Sequence, residues 1–259
     1  MKVWKCPVCG FEHEGASPPH ECPVCSSREF QDKSKIKRSE YDGRKFDVLL
    51  INASTHRGHN TSFIADLAEA ELKKKKASYR RVNLLDFRID HCWCCYSMED
   101  SACTFPCRNQ NDDCPMIHEM MINSRAIIVC SPINWNSMSG RMKVFLDRTT
   151  CIQNKILIGE KSLVACKALG MLINGHEDGA SKTMMDIFFY FQQMGYILAP
   201  FGYAYRTHGS SHNTVDDNKF IKSDKKIRRD IHSVVTNVVE TMKIGLETKL
   251  KEKLDPVAE

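Results

Sequence analysis

Short apolar runs alternate with amphipathic stretches along most of the chain, and this alternation predicts its regular elements. Five runs have the length and the branched or aromatic content of strands, and they cover residues 46–52, 79–84, 125–131, 167–174 and 196–202. The segments between them carry apolar residues at helical spacing, beginning with Ile64, Leu67, Ala68 and Leu72. Because strands that alternate with helices form parallel sheets, we predict a doubly wound α/β fold with five parallel strands.

A long helix is predicted near the C-terminus, from about residue 216 to residue 254. Its apolar residues share one face, which consists of Ile227, Ile231, Val234, Val235, Val238 and Met242. We expect this helix to contribute to the packed core and to assembly.

The beginning of the chain has a different pattern. Residues 1–32 are rich in cysteine, and residues 33–45 carry six basic and two acidic side chains without apolar periodicity. We interpret the first segment as a small domain and the second as a linker, which leaves residues 46–259 for the α/β domain. A linker of this length spans at most about 45 Å, so the small domain has to act close to its own chain or to a neighbouring subunit.

Four cysteines of the small domain have the paired spacing of a tetrahedral thiolate site: Cys6, Cys9, Cys22 and Cys25. Such a site selects zinc or iron. Trp4, Phe11 and Phe30 can surround it with aromatic surface, which favours iron, and a structural zinc ribbon is the alternative. The stretches WKCPVCGFEHEG and PPHECPVC, together with Phe30, resemble rubredoxin in the form fused to rubrerythrins. This resemblance implies an iron centre that carries one electron at a time.

Composition narrows the class of protein further. The chain is 42% hydrophobic, which supplies a core, and its net charge of +5 is modest for 259 residues, so we expect no nucleic-acid partner. It contains no apolar run long enough for a membrane span or a signal peptide, and we therefore expect a cytoplasmic protein without a membrane partner. In such a chain, clustered cysteines favour metal binding or redox chemistry over disulfides.

The loop after the first predicted strand is a candidate phosphate site. It has the sequence ASTHRGHNTS and leads directly into a helix, whose first amides and positive dipole end favour an anion. Candidate ligands in this loop are Ser54, His56, Arg57, Asn60, Thr61 and Ser62. The alternative is an ordinary loop in which one of the polar side chains caps the helix.

Two further loops follow the third and fourth predicted strands and should lie at the same edge of the sheet. Pro132, Ile133, Asn134 and Trp135 can line a flat ring system, and we expect Ser137, Met138 and Ser139 to begin the next helix. In the third loop, the candidates are Asn174, His176 and Glu177. The alternatives are core positions for Trp135 and Met138, and a surface turn before a helix that begins at residues 179–181.

These loops resemble those of the flavodoxin-like NAD(P)H-dependent FMN reductase family, which includes iron-sulfur flavoproteins. Ser54, Asn60 and Thr61 match the family's phosphate loop. The flavin loop is matched by Ser131, Pro132, Trp135, Ser137, Met138, Ser139, Lys143, Asp147 and Arg148. Two positions depart from the family pattern, since His56 stands where the family has Arg and Asn134 replaces a common aromatic residue. The resemblance implies a flavodoxin-like sheet, bound FMN and a homodimer or homotetramer.

Six cysteines lie within residues 91–114: Cys92, Cys94, Cys95, Cys103, Cys107 and Cys114. Iron-sulfur flavoproteins hold a four-iron cluster on a Cys-x2-Cys-x2-Cys-x4–7-Cys motif in this region. Here Met98 stands where the third thiolate belongs, so the candidate ligands become Cys92, Cys95, Cys103 and Cys107. A mononuclear site and free thiols are the alternatives. The isolated residues Cys130, Cys151 and Cys166 are predicted to be buried in the core.

The two resemblances together imply an FMN-binding oxidoreductase. It would pass electrons between NAD(P)H or another donor, the flavin and a rubredoxin-type iron centre, with the cofactors supplying the chemistry. Its partner would be a redox protein or a small-molecule electron acceptor, and no side-chain nucleophile is required. Two alternatives stay open: an electron carrier that does not use NAD(P)H directly, and a zinc-ribbon binding module on a flavodoxin-like scaffold.

Overall fold

The computed structural model describes residues 2–6, 11–23, 26, 28–32, 41–110, 112–175, 179–207, 214–250 and 253. Four residues that the sequence singled out lie outside the described residues: the metal-ligand candidates Cys9 and Cys25, and the flavin-site candidates His176 and Glu177.

The described part of the N-terminal segment forms a small antiparallel sheet. Its strands are β1 (Lys2–Lys5), β2 (Glu12–Gly15) and β3 (Gln31–Asp32), in the order β2-β1-β3. The indole nitrogen of Trp4 donates a hydrogen bond of 3.2 Å to the carbonyl oxygen of Gly15, which ties β1 to β2 beyond the ladder itself.

The main sheet contains the five predicted strands. Its members are β4 (Phe46–Asn52), β5 (Tyr79–Asn83), β6 (Ser124–Asn134), β7 (Ser137–Met138), β8 (Ala168–Gly175) and β9 (Ile197–Thr207). The order β5-β4-β6-β8-β9 is parallel throughout, and β7 pairs with β6 in the antiparallel sense. This is the strand order of a flavodoxin-like fold, which confirms the predicted fold class. In such a sheet, the connections leave β4 and β6 in opposite directions, so a crevice opens at the carboxyl ends of these two strands.

Helices cover both faces of this sheet. They are α1 (Asn60–Lys74), α2 (Cys114–Asn123), α3 (Gly140–Arg148), α4 (Thr150–Leu157), α5 (Ala180–Gln193), α6 (Thr214–Ser223), α7 (Lys225–Lys243) and α8 (Leu246–Leu250). One core lies between the sheet and α1, α6 and α7, and the other lies between the sheet and α2 to α5. Strands buried on both faces explain why their sequences are nearly continuous apolar runs.

The prediction of one long C-terminal helix is wrong, because this region forms the separate helices α6, α7 and α8. Asp224 lies in extended backbone between the first two, and its carboxylate accepts from the amides of Lys226 at 2.8 Å and Ile227 at 3.3 Å. This carboxylate cap begins α7. Gly245 follows α7 with a φ of +70°, a left-handed conformation that ends a helix.

Within the part of the chain that the structure describes, none of the helices has the length and apolar character needed to cross a membrane.

Candidate functional site

The loop between β4 and α1 presents an uncapped helix N-terminus. His59 is the residue before α1, it lies in extended backbone, and its side chain makes no capping hydrogen bond. The hydroxyls of Ser54 and Ser62 both donate to the carbonyl oxygen of His56, at 2.6 and 2.9 Å, and so fix the course of the loop. The amides of the first turn of α1 are therefore not satisfied by the cap side chain and can meet an anion.

A cleft opens beside this loop. Four of the predicted phosphate ligands line it, namely Ser54, His56, Arg57 and Ser62. Among the described residues, the buried atoms Nδ1 of His56 and Oδ1 of Asn60 have no hydrogen-bond partner. Burial and the neighbouring His59 lower the pKa of His56, so its ring is neutral at pH 7 and still offers one N–H. A phosphate oxygen would satisfy that N–H, so this loop fits the phosphate of FMN.

The second predicted loop is a β-hairpin. Strand β6 continues to Asn134, turns through Trp135 and Asn136, and returns as β7. Both turn residues have positive φ, +49° and +58°, as a two-residue type I′ hairpin turn requires. The expectation that Ser137 and Met138 begin a helix is therefore wrong, because these residues pair with β6. Trp135 is 99% exposed at the tip, which also excludes the alternative that it packs in the core.

The hairpin is held against the third loop and helix α5. The hydroxyl of Ser137 donates to the carboxylate of Asp186 on α5 at 2.8 Å. A β-carbon on Gly179 would lie 2.6 Å from the α-carbon of Asn136, so only glycine lets the two loops approach this closely. Gly175 makes a similar approach, since its β-carbon would lie 2.7 Å from that of Ile133.

Hydrogen bonds join all three loops at the carboxyl edge of the sheet. The hydroxyl of Thr61, on α1, donates to the side-chain oxygen of Asn174 at the end of β8, at 2.6 Å. Ser139 caps α3, accepting from the amide of Met142, and its hydroxyl donates to the carbonyl oxygen of Ala53 at 3.1 Å. The loop after β4, the hairpin and the end of β8 thus form one rim with an anion site at one end, an arrangement that suits a flat cofactor with a phosphate tail.

The four cysteines that the sequence grouped as candidate cluster ligands line one small cavity. Cys92, Cys95, Cys103 and Cys107 are all present in its wall, whereas Cys94 and Cys114 are not. A fifth cysteine, Cys151 of α4, also lines this cavity. The sequence predicted only that Cys151 would be buried, and it is.

A single metal ion and an iron-sulfur cluster require different distances between the cysteine sulfurs. Thiolates around one zinc ion lie about 3.8 Å apart, because Zn–S bonds are about 2.3 Å long and tetrahedral. Among the residues placed by the structure, no three Cys, His, Asp or Glu side chains lie close enough together to hold a single metal ion. Several cysteine sulfurs around one cavity are the type of ligand that an iron-sulfur cluster uses.

Arg148, only 1% exposed, anchors the cysteine segment from the end of α3. Its guanidinium forms a two-pronged ion pair with Asp112 and donates to the carbonyl oxygens of Asp90 and Asn109 at 3.1 and 3.0 Å. It also donates to the sulfur of Cys107 at 3.5 Å. Burial alone would lower the pKa of Arg148, but the hydrogen bonds of Asp112 raise it, so a fixed positive charge lies behind the cavity wall.

The thiols of the cavity differ in acidity. A hydrogen bond from Cys151, the amide of Asn109 and the charge of Arg148 lower the pKa of Cys107 to about 5. Burial and the neighbouring thiols raise the pKa of Cys103 to about 11. Cys107 is therefore a thiolate at neutral pH, which is the state that binds metal.

Two of the predicted N-terminal ligands fall within the described residues. Cys6 and Cys22 are both fully buried. The amide of Cys6 donates to the carbonyl oxygen of Phe11 at 2.8 Å, and the amide of Ser26 donates to that of Cys22 at 2.9 Å. Buried cysteines in tight turns of a segment with little other core suit a metal-stabilised domain.

Comparisons with known proteins identify the families of the two domains. A family model described as "NADPH-dependent FMN reductase" matches residues 46–208, and one described as "Rubrerythrin, rubredoxin-like domain" matches residues 4–30. An iron-sulfur flavoprotein from Archaeoglobus fulgidus is 28% identical over 102 residues, which is 39% of this chain and 48% of that protein. The chain spans about half or less of the length of the curated relatives it matches.

Solved structures share the fold. RosB, solved with bound 8-demethyl-8-formylriboflavin-5'-phosphate, superposes with a TM-score of 0.63 at 18% identity, over 83% of this chain and 90% of RosB. The apo form of the NADH:FMN oxidoreductase EmoB gives a TM-score of 0.51 at 14% identity, over 76% and 90% of the two chains. With the family match covering most of the main domain, the chain belongs to the NADPH-dependent FMN reductase family, and it carries a rubredoxin-like domain at its N-terminus.

Proposed function

We propose that the chain is an FMN-binding oxidoreductase that passes electrons between NAD(P)H, the flavin and a rubredoxin-type iron centre. The observation that carries this proposal is the rim at the carboxyl edge of the sheet, where hydrogen bonds join the loop after β4, the hairpin and the end of β8. At one end of that rim lie an uncapped helix N-terminus and a buried imidazole nitrogen without a partner among the described residues. The family match and the RosB and EmoB structures support a flavin as the occupant.

The phosphate end of the cofactor would be bound by the first-turn amides of α1 and by His56. Ser54 and Ser62 hold the loop in place through the His56 carbonyl oxygen, and Thr61 holds α1 to Asn174. Arg57 lines the same cleft but forms an ion pair with Asp86, so we assign it a role in setting the charge of the cleft.

The ring system would lie along the hairpin and the loop after β8. Pro132, Ile133 and Asn134 offer backbone and apolar surface there, and the exposed indole of Trp135 can cover the ring from solvent. Bound FMN supplies hydride acceptance and one-electron release, and the backbone of this rim orients it and limits access of water. His176 and Glu177 stay candidates from the sequence alone.

The N-terminal thiolates would hold iron. Cys6 and Cys22, which are buried, would supply two of the four sulfurs of such a site, and the sequence assigns the other two to Cys9 and Cys25. We also propose an iron-sulfur cluster in the cavity lined by Cys92, Cys95, Cys103 and Cys107. The named relative from A. fulgidus supports this second centre. A redox protein or a small molecule would take the electrons, and we expect a homodimer or homotetramer in the cytoplasm.

The visible spectrum of the purified protein, followed by anaerobic mixing with NADPH and then NADH, tests this function. We expect flavin and ferric-thiolate absorption, and we expect NADPH or NADH to bleach the flavin without any added enzyme. A Cys6→Ser variant is the matched control, because loss of the iron site should leave the hydride step unchanged.

Two other outcomes would replace the proposal. Flavin that only a partner protein or dithionite reduces would make the chain an electron carrier that does not use NAD(P)H directly. A protein with zinc at its N-terminus, and without flavin even after incubation with FMN, would make it a zinc-ribbon binding module.

A further inference from the structure

Helix α4 forms a wall of the cysteine cavity, and none of the sequence motifs assigns it a role there. Cys151 and Asn154 lie three residues apart and so share one face of this helix. The side-chain amide of Asn154 donates to the carbonyl oxygens of Asp100 and Cys103, at 2.7 and 2.8 Å. The helix therefore fixes the backbone that carries Cys103, while Cys151 reaches the cavity beside it.

Cys151 belongs to a buried chain of hydrogen-bonding groups that ends at Cys107. The sulfur of Cys114 lies 3.3 Å from Nε2 of His118, and Nδ1 of His118 lies 3.6 Å from the sulfur of Cys151. Cys151 and Cys107 line the same small cavity, and both contact Arg148, through its carbonyl oxygen and its guanidinium respectively. Cys114, His118 and Cys151 are all almost completely inaccessible to solvent.

The state of the Cys107 sulfur decides which of these groups donate and which accept. In the structure, the thiol of Cys151 donates to the carbonyl oxygen of Arg148, at 3.4 Å. A sulfur that binds iron is a thiolate and can only accept, so it would be the stronger acceptor for the Cys151 thiol, because it is charged. His118 can then donate from Nδ1 to Cys151 and accept at Nε2 from Cys114, and every proton has an acceptor. The ring can do both only when neutral, and burial lowers its pKa to about 3.

We propose that Cys151 is a positioning residue for the iron-sulfur cluster, in which its thiol donates to the Cys107 sulfur, is oriented by His118, and raises the cluster's reduction potential. This inference rests on the cluster assigned under the proposed function. Reduction adds negative charge to the cluster and its sulfurs. A hydrogen bond to a ligand sulfur therefore stabilises the reduced state more than the oxidised state, and the nearby guanidinium of Arg148 acts in the same direction.

Substitutions at Cys151 test this role in the full-length protein loaded with iron, sulfide and FMN. Cys151→Ala removes the donor, and Cys151→Val removes it while filling the space with a somewhat larger apolar side chain. We expect both variants to keep the wild-type iron and sulfide content. Their cluster should be about tenfold harder to reduce, which is about 59 mV for a one-electron couple in a redox titration followed by electron paramagnetic resonance. Cys151→Ser keeps a donor and should restore most of the wild-type potential.

Two control variants make the result specific. Cys130→Ala removes an equally buried cysteine from the core on the other face of the sheet, and it should leave the potential unchanged. Cys107→Ala removes the proposed ligand itself, and it should lower the iron and sulfide content.

Three outcomes would overturn the inference. Loss of iron from Cys151→Ala, together with retention in Cys107→Ala, would make Cys151 the ligand. An unchanged reduction potential in Cys151→Ala and Cys151→Val would show that the Cys151 thiol does not affect the cluster. Wild-type protein that binds no sulfide would refute both the cluster and this inference, whereas the first two outcomes leave the cluster assignment in place.

Discussion

At the scale of single residues, Arg148 has the most consequential environment in the described chain. It is buried, and its guanidinium donates to the Asp112 carboxylate, to the backbone carbonyl oxygens of Asp90 and Asn109, and to the sulfur of Cys107. An arginine with this many partners stabilises the fold mainly because its loss would leave the Asp112 carboxylate buried and unpaired.

We expect Arg148→Met to lower the free energy of unfolding by about 3–5 kcal/mol, the cost of breaking a buried ion pair by removing one partner. Denaturant unfolding measures this effect. Lys226→Met is the control, because Lys226 pairs with Asp230 at the surface, at 2.6 Å, and its removal should cost less than about 1 kcal/mol. Equal losses in the two variants would contradict the importance of the buried pair.

The sequence predicted which residues surround the cysteine cavity better than it predicted how they interact. Spacing and the family resemblance selected Cys92, Cys95, Cys103 and Cys107, and the structure brings all four to one cavity. Cys151 was missed because it lies 44 residues after Cys107 in sequence and reaches the cavity only through tertiary contacts. The sequence did contain one usable signal. Cys151 lies three residues after Arg148, and residues at this spacing can contact the same cysteine segment.

At the scale of elements, the hairpin of β6 and β7 determines the shape of the flavin rim. Gly179 has a φ of +94° and lies against Asn136 of the hairpin turn. Gly159 has a similar φ of +81°, but a β-carbon there would meet no atom within 4 Å. The two positions thus share the same backbone strain on substitution and differ only in the contact with the hairpin.

We expect Gly179→Ala to raise the FMN dissociation constant about tenfold, because moving the hairpin by even a small distance costs on the order of 1.4 kcal/mol of binding. Gly159→Ala should leave FMN affinity unchanged, although both variants lose about 1–2 kcal/mol of stability from the left-handed conformation. Fluorescence titration with FMN measures the affinity. Equal affinities in the two variants would show that the hairpin does not contact the cofactor.

The elements that the sequence predicted well are those whose signal is local. The apolar runs predicted the five strands to within a few residues at most of their ends. The exceptions are β6 and β9, which continue several residues beyond their apolar runs. The hairpin escaped prediction because its turn residues, Trp135 and Asn136, lack the glycine that usually marks a type I′ turn. The break between α6 and α7 was not predicted, because the helical spacing of the apolar residues in α7 drew attention away from Asp224 as a capping residue.

At the scale of the whole molecule, the chain combines two domains of different families, each with its own sheet. The main domain belongs to a family of FMN reductases, and the N-terminal segment matches a rubredoxin-like domain. A flavin accepts electrons in pairs and an iron-thiolate centre accepts them singly, so the combination suits conversion between two-electron donors and one-electron acceptors. A linker at residues 33–45, as the sequence predicts, would limit how far apart the two domains can be.

The most direct test of this account is a single-turnover measurement. The FMN-loaded and iron-loaded protein is mixed anaerobically with NADPH, and the absorptions of the flavin and of the ferric-thiolate centre are followed separately. We expect the flavin to be reduced first and the iron afterwards, at a rate that does not depend on protein concentration, because the transfer takes place within one molecule or oligomer. Iron that stays ferric while the flavin is fully reduced would contradict the account.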